Sequence, residues 1–446
     1  MSSSHIQSSL LGQQPKTISL TEEQIALIKE VLKDEDTSIF ASEKLKELIQ
    51  KKHKLSQQVS NSADLTKMED DIEIPYRILK VKGKTIAEDK YFIVGKGIKS
   101  GGALGEGGEG VVKRLIDVDS KKEYAIKAIK LSDDYEDRVH PKLAEYQFKI
   151  MKDLGKGHMM VSKTLPENDK KEYRVPKCYI IMELAKGKNL LELLKEHVSG
   201  EHVIPTNEWI DICFLILNTV RDLHKKGIWH RDIKLSNFIY DPETKELKLE
   251  DYGCAREHKN KDFITESRVL GSVGYQAPEI IDTDIDDWRL PTYSEKTEVY
   301  ALGQLLREML GFEEVEVQHD DLSIGTIQNK KANDELGLFR SGFDNLTKSM
   351  QKENADDRPS VEKVLLELGN ILTTSPVEES ELMSIESPQA TGSPQSVAFQ
   401  FSETSSRRFF SETVSSPSTG SSRSTTEYES EESEAPKKKQ RTGNAS

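Results

Sequence analysis

The stretch Leu104-Gly105-Glu106-Gly107-Gly108-Glu109-Gly110-Val111-Val112 constrains the fold more than any other part of the chain. It reads G-x-G-x-x-G-x-V. Glycines have no Cβ, so a tight hairpin can bring its backbone N–H groups close to a bound anion. Leu104 and Val112 flank the turn at strand spacing, as a pair of apolar side chains covering a flat base would require. The third glycine of the pattern leads into a second strand, not into a helix, which excludes the dinucleotide-binding fold. A competing glycine pair, Gly95-Lys96-Gly97, lies just upstream, and the frame of Leu104 and Val112 favours the second candidate. Downstream, Tyr124-Ala125-Ile126-Lys127 alternates as a strand, and the ammonium of Lys127 can pair with phosphates.

Composition limits what surrounds this element. The 446 residues suggest two to three domains, or one large domain with appendages. Only 35% are hydrophobic, fewer than a fully packed chain carries, so part of the length is expected outside any core. With 63 Lys+Arg against 77 Asp+Glu the net charge is -14, which argues against broad nucleic-acid binding. Cys178, Cys213 and Cys254 form no C-x-x-C pair, so neither a disulfide framework nor a structural zinc site is expected. No run approaches the ~20 apolar residues of a membrane span, and the N-terminus lacks a secretory signal pattern.

Three zones follow. Residues 1–90 read as a helical N-terminal extension. Thr21 and Gln24 form a capping box ahead of Ile25, Ile28, Val31 and Leu32, and a second helix is expected to hold Phe40, Leu45, Leu48 and Ile49. Residues 373–446 are dominated by Ser, Thr and Glu, and are expected to be disordered. Residues 91–372 carry the chemistry.

There, His230-Arg231-Asp232-Ile233-Lys234-Leu235-Ser236-Asn237 fits H-R-D-x-K-x-x-N, followed by Asp251-Tyr252-Gly253 and Ala277-Pro278-Glu279. With these ordered motifs, the middle zone resembles a eukaryotic-type protein kinase domain. The resemblance implies an α+β, bilobal protein kinase fold with a β-rich N-lobe and a helical C-lobe. It also implies transfer of the γ-phosphate of ATP to protein hydroxyls with Mg2+ as cofactor, and Lys234 is similar to the serine/threonine group. In that setting Asp232 orients the substrate hydroxyl and Lys234 steadies the γ-phosphate. Asn237 and Asp251 offer oxygen ligands to magnesium. Leu104, Gly105, Gly107, Gly110, Val112, Ala125, Lys127 and Ile239 surround the nucleotide, the backbones of Glu183 and Ala185 meet the adenine edge, and Met182 falls at the gatekeeper position. Arg358 in ADDRPS is expected to pair with Glu279. Trp209, Ile212, Leu215 and Leu217 read as core.

The chain departs from the pattern in places. Glu109 sits at the loop tip. Tyr252 replaces a phenylalanine whose apolar slot it can fill. Glu298 stands where an aspartate usually tethers the catalytic loop, and its longer side chain is expected to loosen the tether. The helix partner of Lys127 has two candidates: charge favours Glu145, whereas the apolar register of Ile150, Met151 and Leu154 places Gln147 there. We take Glu145 as the partner. A pseudokinase scaffold is the rival to turnover. Arg231 is expected to bind a phosphate on Ser267, and Ser272 to contact Asp232 and Lys234. Four Ser-Pro pairs and Pro436–Arg441 in the tail point to phosphorylation and nuclear import, and the EYESEESE stretch resembles secretion signals of bacterial effectors delivered into host cells. Partners are therefore protein substrates, with no nucleic acid and no membrane, in cytoplasm or nucleus.

Overall fold

A computed structural model describes residues 20–59, 76–95, 103–107, 110–131, 139–163, 177–259, 261–282, 290–318 and 323–373. Glu109 and all the tail motifs lie outside these residues. Helix α1 (Glu22–Leu32) starts at the expected capping box: Gln24 N donates to Thr21 Oγ1 at 3.2 Å, and Thr21 N to Gln24 Oε1 at 3.0 Å. Its buried stripe is Ile25, Ile28, Val31 and Leu32. Strand β1 (Ser38–Phe40) and helix α2 (Ser42–Val59) follow. Phe40, expected in the second helix, belongs to β1 instead.

The extension does not end before the N-lobe begins. Strands β2 (Arg77–Val81) and β3 (Lys90–Val94) carry the sheet across residue 90, so the expected helical segment 1–90 supplies two strands and part of a third. Strands β4 (Ala103–Gly107), β5 (Gly110–Asp117), β6 (Glu123–Lys130), β7 (Gly157–Lys163) and β8 (Lys177–Glu183) complete the curled sheet. Its order is β1-β2-β3-β5-β6-β8-β7, with β4 pairing on β5. Alternation sends Ile78, Tyr91, Ile93 and Ile116 to a cluster with α1 and α2, and Leu79, Phe92, Val94 and Leu115 to the other face. Both faces are covered, hence the almost continuous apolar run of β3, which masked the strand pattern. Helix α3 (Pro141–Asp153) lies against this sheet and contacts β7 and β8.

One buried lysine fastens the extension. Lys80 has no exposed surface, pairs with Asp89 at 2.9 Å, and donates to the carbonyls of Leu32 (2.6 Å) and Lys33 (2.8 Å). It thereby satisfies orphan carbonyls at the end of α1.

The helical C-lobe contains α4 (Leu190–Ser199), α5 (Thr206–Lys225), α6 (Pro278–Ile281), α7 (Glu295–Met309), α8 (Lys330–Glu335), α9 (Arg340–Met350) and α10 (Val361–Thr373). Helix α5 is its spine: Trp209, Ile212 and Leu217 are fully buried and Leu215 packs alongside, as expected. It meets α7, α8 and α10. Short strands carry the loops: β9 (Lys188–Asn189), β10 (Ile228–Trp229), β11 (Phe238–Asp241), β12 (Glu246–Leu249), β13 (Arg256–Glu257), β14 (Ile264–Thr265), β15 (Thr292–Tyr293), β16 (Val315–Gln318) and β17 (Ile324–Ile327). Arg358, 1% exposed, forms two 2.8 Å bonds to the carboxylate of Glu279. Among the described residues no helix is long and apolar enough to cross a membrane.

Glu298 on α7 is buried, and its Oε1 accepts from the backbone N of Arg231 at 2.6 Å. The tether expected to be loose is therefore made. The extra length is taken up by a second bond, in which Oε2 accepts from Nε2 of His224 on α5. Burial works against a charged ring, but the hydrogen bond and charge of Glu298, with help from Glu295 and Glu362, raise the His224 pKa. For Glu298, burial is outweighed by His224 and the Arg231 amide, and its pKa is lowered.

Two outcomes are expected. Lys80→Ala leaves Asp89 buried without its partner and should cost about 3–5 kcal/mol in urea unfolding; a loss within error of zero would show that α1 is held by its apolar stripe alone. A histidine with a raised folded-state pKa stabilises below its ordinary value of 6.5 and loses that contribution as pH rises through the folded-state pKa. Melting temperature should thus fall as pH rises above 6.5 in the wild type, and this slope should flatten in His224→Gln.

Candidate active site

A cleft of about 580 Å³ opens between the glycine hairpin and the C-lobe loops. Of the residues singled out from sequence, Leu104, Gly110, Val112, Ala125, Lys127, Met182, Glu183, Ala185, Asp232, Lys234, Asn237, Ile239 and Asp251 all line it. Gly105 and Gly107 lie in β4, across from Val112 and Gly110 of β5. Glycine is required at Gly110 for packing as well as for approach to a ligand: a Cβ there would stand 1.9 Å from the carbonyl oxygen of Ala128 in β6. Leu104 is 47% exposed and forms a lip. Met182, on the strand that pairs with β6, is buried behind Ala125.

The catalytic loop is tied by side chains to its own aspartate. Ser272 Oγ donates to Asp232 Oδ1 at 2.7 Å and accepts from Lys234 Nζ at 2.7 Å. Lys234 Nζ also stands 3.0 Å from Asp232 Oδ2. Asn237 Nδ2 donates to Asp232 O at 2.8 Å and to Oδ2 at 3.1 Å, which leaves its Oδ1 for another partner. Ser272 thus makes both contacts expected of it. The turn that delivers it needs Gly271, whose φ is +91° and whose Cβ would sit 2.9 Å from the carbonyl of Arg231. Arg231 (φ +65°) and Asp251 (φ +61°) hold left-handed backbone without being glycine, which costs on the order of 1–2 kcal/mol each. Such strain persists where surrounding bonds fix the conformation, here those of Glu298 and Lys127.

Lys127 Nζ bonds Asp251 Oδ1 at 2.7 Å. Burial raises the Asp251 pKa, but the charge and hydrogen bond of Lys127 prevail and lower it. Tyr252 is buried, its ring edge-on to His230 at 5.2 Å, and its hydroxyl donates to the Leu249 carbonyl at 3.0 Å. The apolar slot is filled, and the added polar atom is satisfied. Burial pushes the His230 pKa down, although Glu298, Asp232 and Asp251 pull the other way.

The assignment of Glu145 is corrected. Ala144, Gln147, Ile150 and Met151 share the buried face of α3, and Gln147 is 2% exposed and lines the cleft. Glu145 is exposed. The 3.6-residue period fixes which side chains face inward, and the apolar residues set that face regardless of where a charge would be useful. Gln147 Nε2 is buried with no hydrogen-bond partner.

Sequence reasoning also missed a clamp on the outer side of α3. Glu257 N donates to the hydroxyl of Tyr146 at 3.0 Å, Lys149 pairs with Glu257 at 2.6 Å, and the guanidinium of Arg256 lies 5.0 Å from the Tyr146 ring centre. The only available signal was the run of polar residues on the exposed face of α3.

The cleft brings cations and acids together with room for a polyphosphate. The family profile described as Protein kinase domain matches residues 98–367. A probable serine/threonine-protein kinase of Dictyostelium discoideum is 28% identical over 63% of this chain and 25% of its own length. The serine/threonine-protein kinase cds1 of Schizosaccharomyces pombe is 29% identical over 46% of this chain and 43% of its own. Calcium-dependent protein kinase 31 of Arabidopsis thaliana is 26% identical over 52% and 45%. The chain therefore spans less than half the length of these relatives. The match covers well over half of the chain, with its catalytic loop and glycine hairpin inside the matched region, and on that ground the chain belongs to the eukaryotic-type protein kinase family.

Proposed function

We propose that the chain is an active serine/threonine protein kinase that moves the γ-phosphoryl group of ATP to a protein hydroxyl. The observation that carries this reading is the set of bonds around Asp232. Ser272, Lys234 and Asn237 fix both oxygens of its carboxylate, so that it can accept a hydrogen bond from an incoming hydroxyl without having to be reoriented. Phosphoryl transfer asks mostly for positioning and charge neutralisation, which these groups supply. Lys234 stands beside the position such a hydroxyl would take, and Lys127 enters the same cleft from β6.

The residues present also suit magnesium. Asp251 offers a carboxylate and Asn237 an amide oxygen, hard donors in a cleft with room for phosphate oxygens and water. The ion would neutralise phosphate charge there. Lys127 would then exchange its contact with Asp251 for the phosphates. The names of the relatives support serine and threonine as acceptors, as does Lys234.

One observation favours the rival reading, a nucleotide-binding scaffold without turnover. Gln147 puts a neutral amide on the inward face of α3, where a carboxylate would have strengthened the hold on Lys127. Turnover of Mg-ATP onto a generic acceptor such as casein, compared with Asp232→Asn, separates the two. Wild-type turnover lost in the variant supports the kinase; nucleotide binding with no turnover in either supports the scaffold.

Lys127→Ala and Asp251→Ala should each lower kcat by about 100- to 1,000-fold, because each holds phosphate or metal charge. Near-normal turnover in Asp251→Ala would refute the mechanism. Glu145→Ala should remain within about two-fold of wild type, whereas Gln147→Ala should raise the KM for ATP by about ten-fold, through the loss of a buried polar group that lines the cleft. A strong defect in Glu145→Ala would mean that α3 turns in solution.

A further inference from the structure

Sequence reasoning placed a phosphate on Ser267 opposite Arg231. In the structure that arginine already has its counter-ion. The Arg231 side chain has no exposed surface, and Nη1 bonds Glu266 Oε1 at 2.6 Å. Arg231 Nε donates to the Cys254 carbonyl at 2.7 Å, and the guanidinium lies 5.0 Å from the centre of the Tyr293 ring. A second cation, Arg256, comes within 3.8 Å of the same carboxylate. We propose that Glu266 is a positioning residue for Asp232: acting through Arg231, it holds the catalytic loop and the segment 251–279 in working order without phosphorylation. This rests on the kinase reading above.

Three observations bear on it. The first is burial. A guanidinium without solvent needs an opposite charge nearby, and Glu266 supplies it from within the chain. The second is the backbone around Glu266. Its N donates to the Pro291 carbonyl at 3.0 Å, directly after the ladder pairs Ile264↔Tyr293 and Thr265↔Thr292. Tyr293 then bonds both backbone groups of Leu270, at 2.6 and 3.0 Å, two residues before Ser272. The segment is thus pinned from Ile264 to Ser272 by its own bonds to Pro291, Thr292, Tyr293, Asp232 and Lys234. The third is direction. Glu266 is half-buried, whereas Thr265 and Ser267 on either side are exposed. A phosphate on Ser267 would start away from Arg231 and would have to displace an ion pair already made.

The link to the chemistry is short. Arg231 immediately precedes Asp232, and its left-handed backbone is fixed by Glu298. Without Glu266, the buried guanidinium would lose its charged partner and the loop would lose one of its holds.

The test uses the full chain, co-expressed with a broad-specificity protein phosphatase and shown by mass spectrometry to carry no phosphate between 251 and 279. Its casein phosphorylation should match that of untreated protein, and the double variant Thr265→Ala/Ser267→Ala should match both. Glu266→Gln should lower kcat by about 100-fold, the scale of a misplaced catalytic group, with the KM for ATP unchanged because the nucleotide cleft is untouched. Glu266→Asp should recover part of that loss, as a simple packing defect would not. The proposal is overturned if dephosphorylated protein is inactive while untreated protein works, or if Ser267→Ala alone reproduces Glu266→Gln. If Glu266→Gln fails to fold, the phosphatase and double-variant arms still decide. If no form phosphorylates casein although Mg-ATP binds, the kinase reading fails and takes this inference with it.

Discussion

The buried carboxylate of Glu298 is the interaction on which the working geometry depends. One oxygen holds the amide of Arg231, the other a histidine on the spine helix of the C-lobe. Through it a left-handed, non-glycine backbone is kept in place beside Asp232. A buried carboxylate is costly unless its oxygens are satisfied and its charge is met. Here α5 supplies the histidine and the catalytic loop supplies the amide, so the burial cost is offset only when both elements are docked. The position of Asp232 is in this sense a property of the packed C-lobe, not of the loop alone.

The Lys127 side of the cleft follows a different logic. The lysine meets Asp251 across the cleft, while α3 presents the neutral Gln147. Helix α3 is instead held from outside, where Tyr146 and Lys149 grip β13 through Glu257 and Arg256. Strand β13 pairs with β10, which leads directly into the catalytic loop. Exposed ion pairs such as Lys149–Glu257 contribute little individually. The less exposed bond between Tyr146 and the Glu257 backbone is the stronger part of that grip. Both ends of α3's support therefore belong to segments that also carry Asp232 and Asp251.

Much of this was legible in the sequence because it is local. The glycine hairpin, the strand bearing Lys127 and the loop from His230 to Asn237 are short patterns whose spacing fixes geometry, and the structure brings them to one cleft. The capping box at Thr21 is legible for the same reason. What escaped was non-local. Nothing near Glu298 announces His224, which lies 74 residues away. Nothing near Ser267 says that its neighbour, not itself, faces Arg231. Gln147 is a different case: the apolar register of α3 points to it, and packing, not charge, sets the inward face. The strand at 90–94 shows no alternation because both faces of the sheet are covered and β3 is nearly all apolar.

Strands β1, β2 and β3 bear on where the folding unit starts. Strand β3 lies along β5 at Phe92↔Asp117, Ile93↔Ile116 and Val94↔Leu115, and β2 and β1 follow outward to a three-residue edge. A chain begun at residue 98, where the family match starts, would lose all three. Residues 115–117 of β5 would become an open edge with unpaired N–H and C=O groups, next to Leu115 and Ile116 stripped of their apolar cover. Such an edge is a template for pairing with another copy. The segment ahead of the matched region thus covers this stretch of β5 and leaves in its place the three-residue edge of β1, beside α1 and α2, which offers a neighbour little ladder.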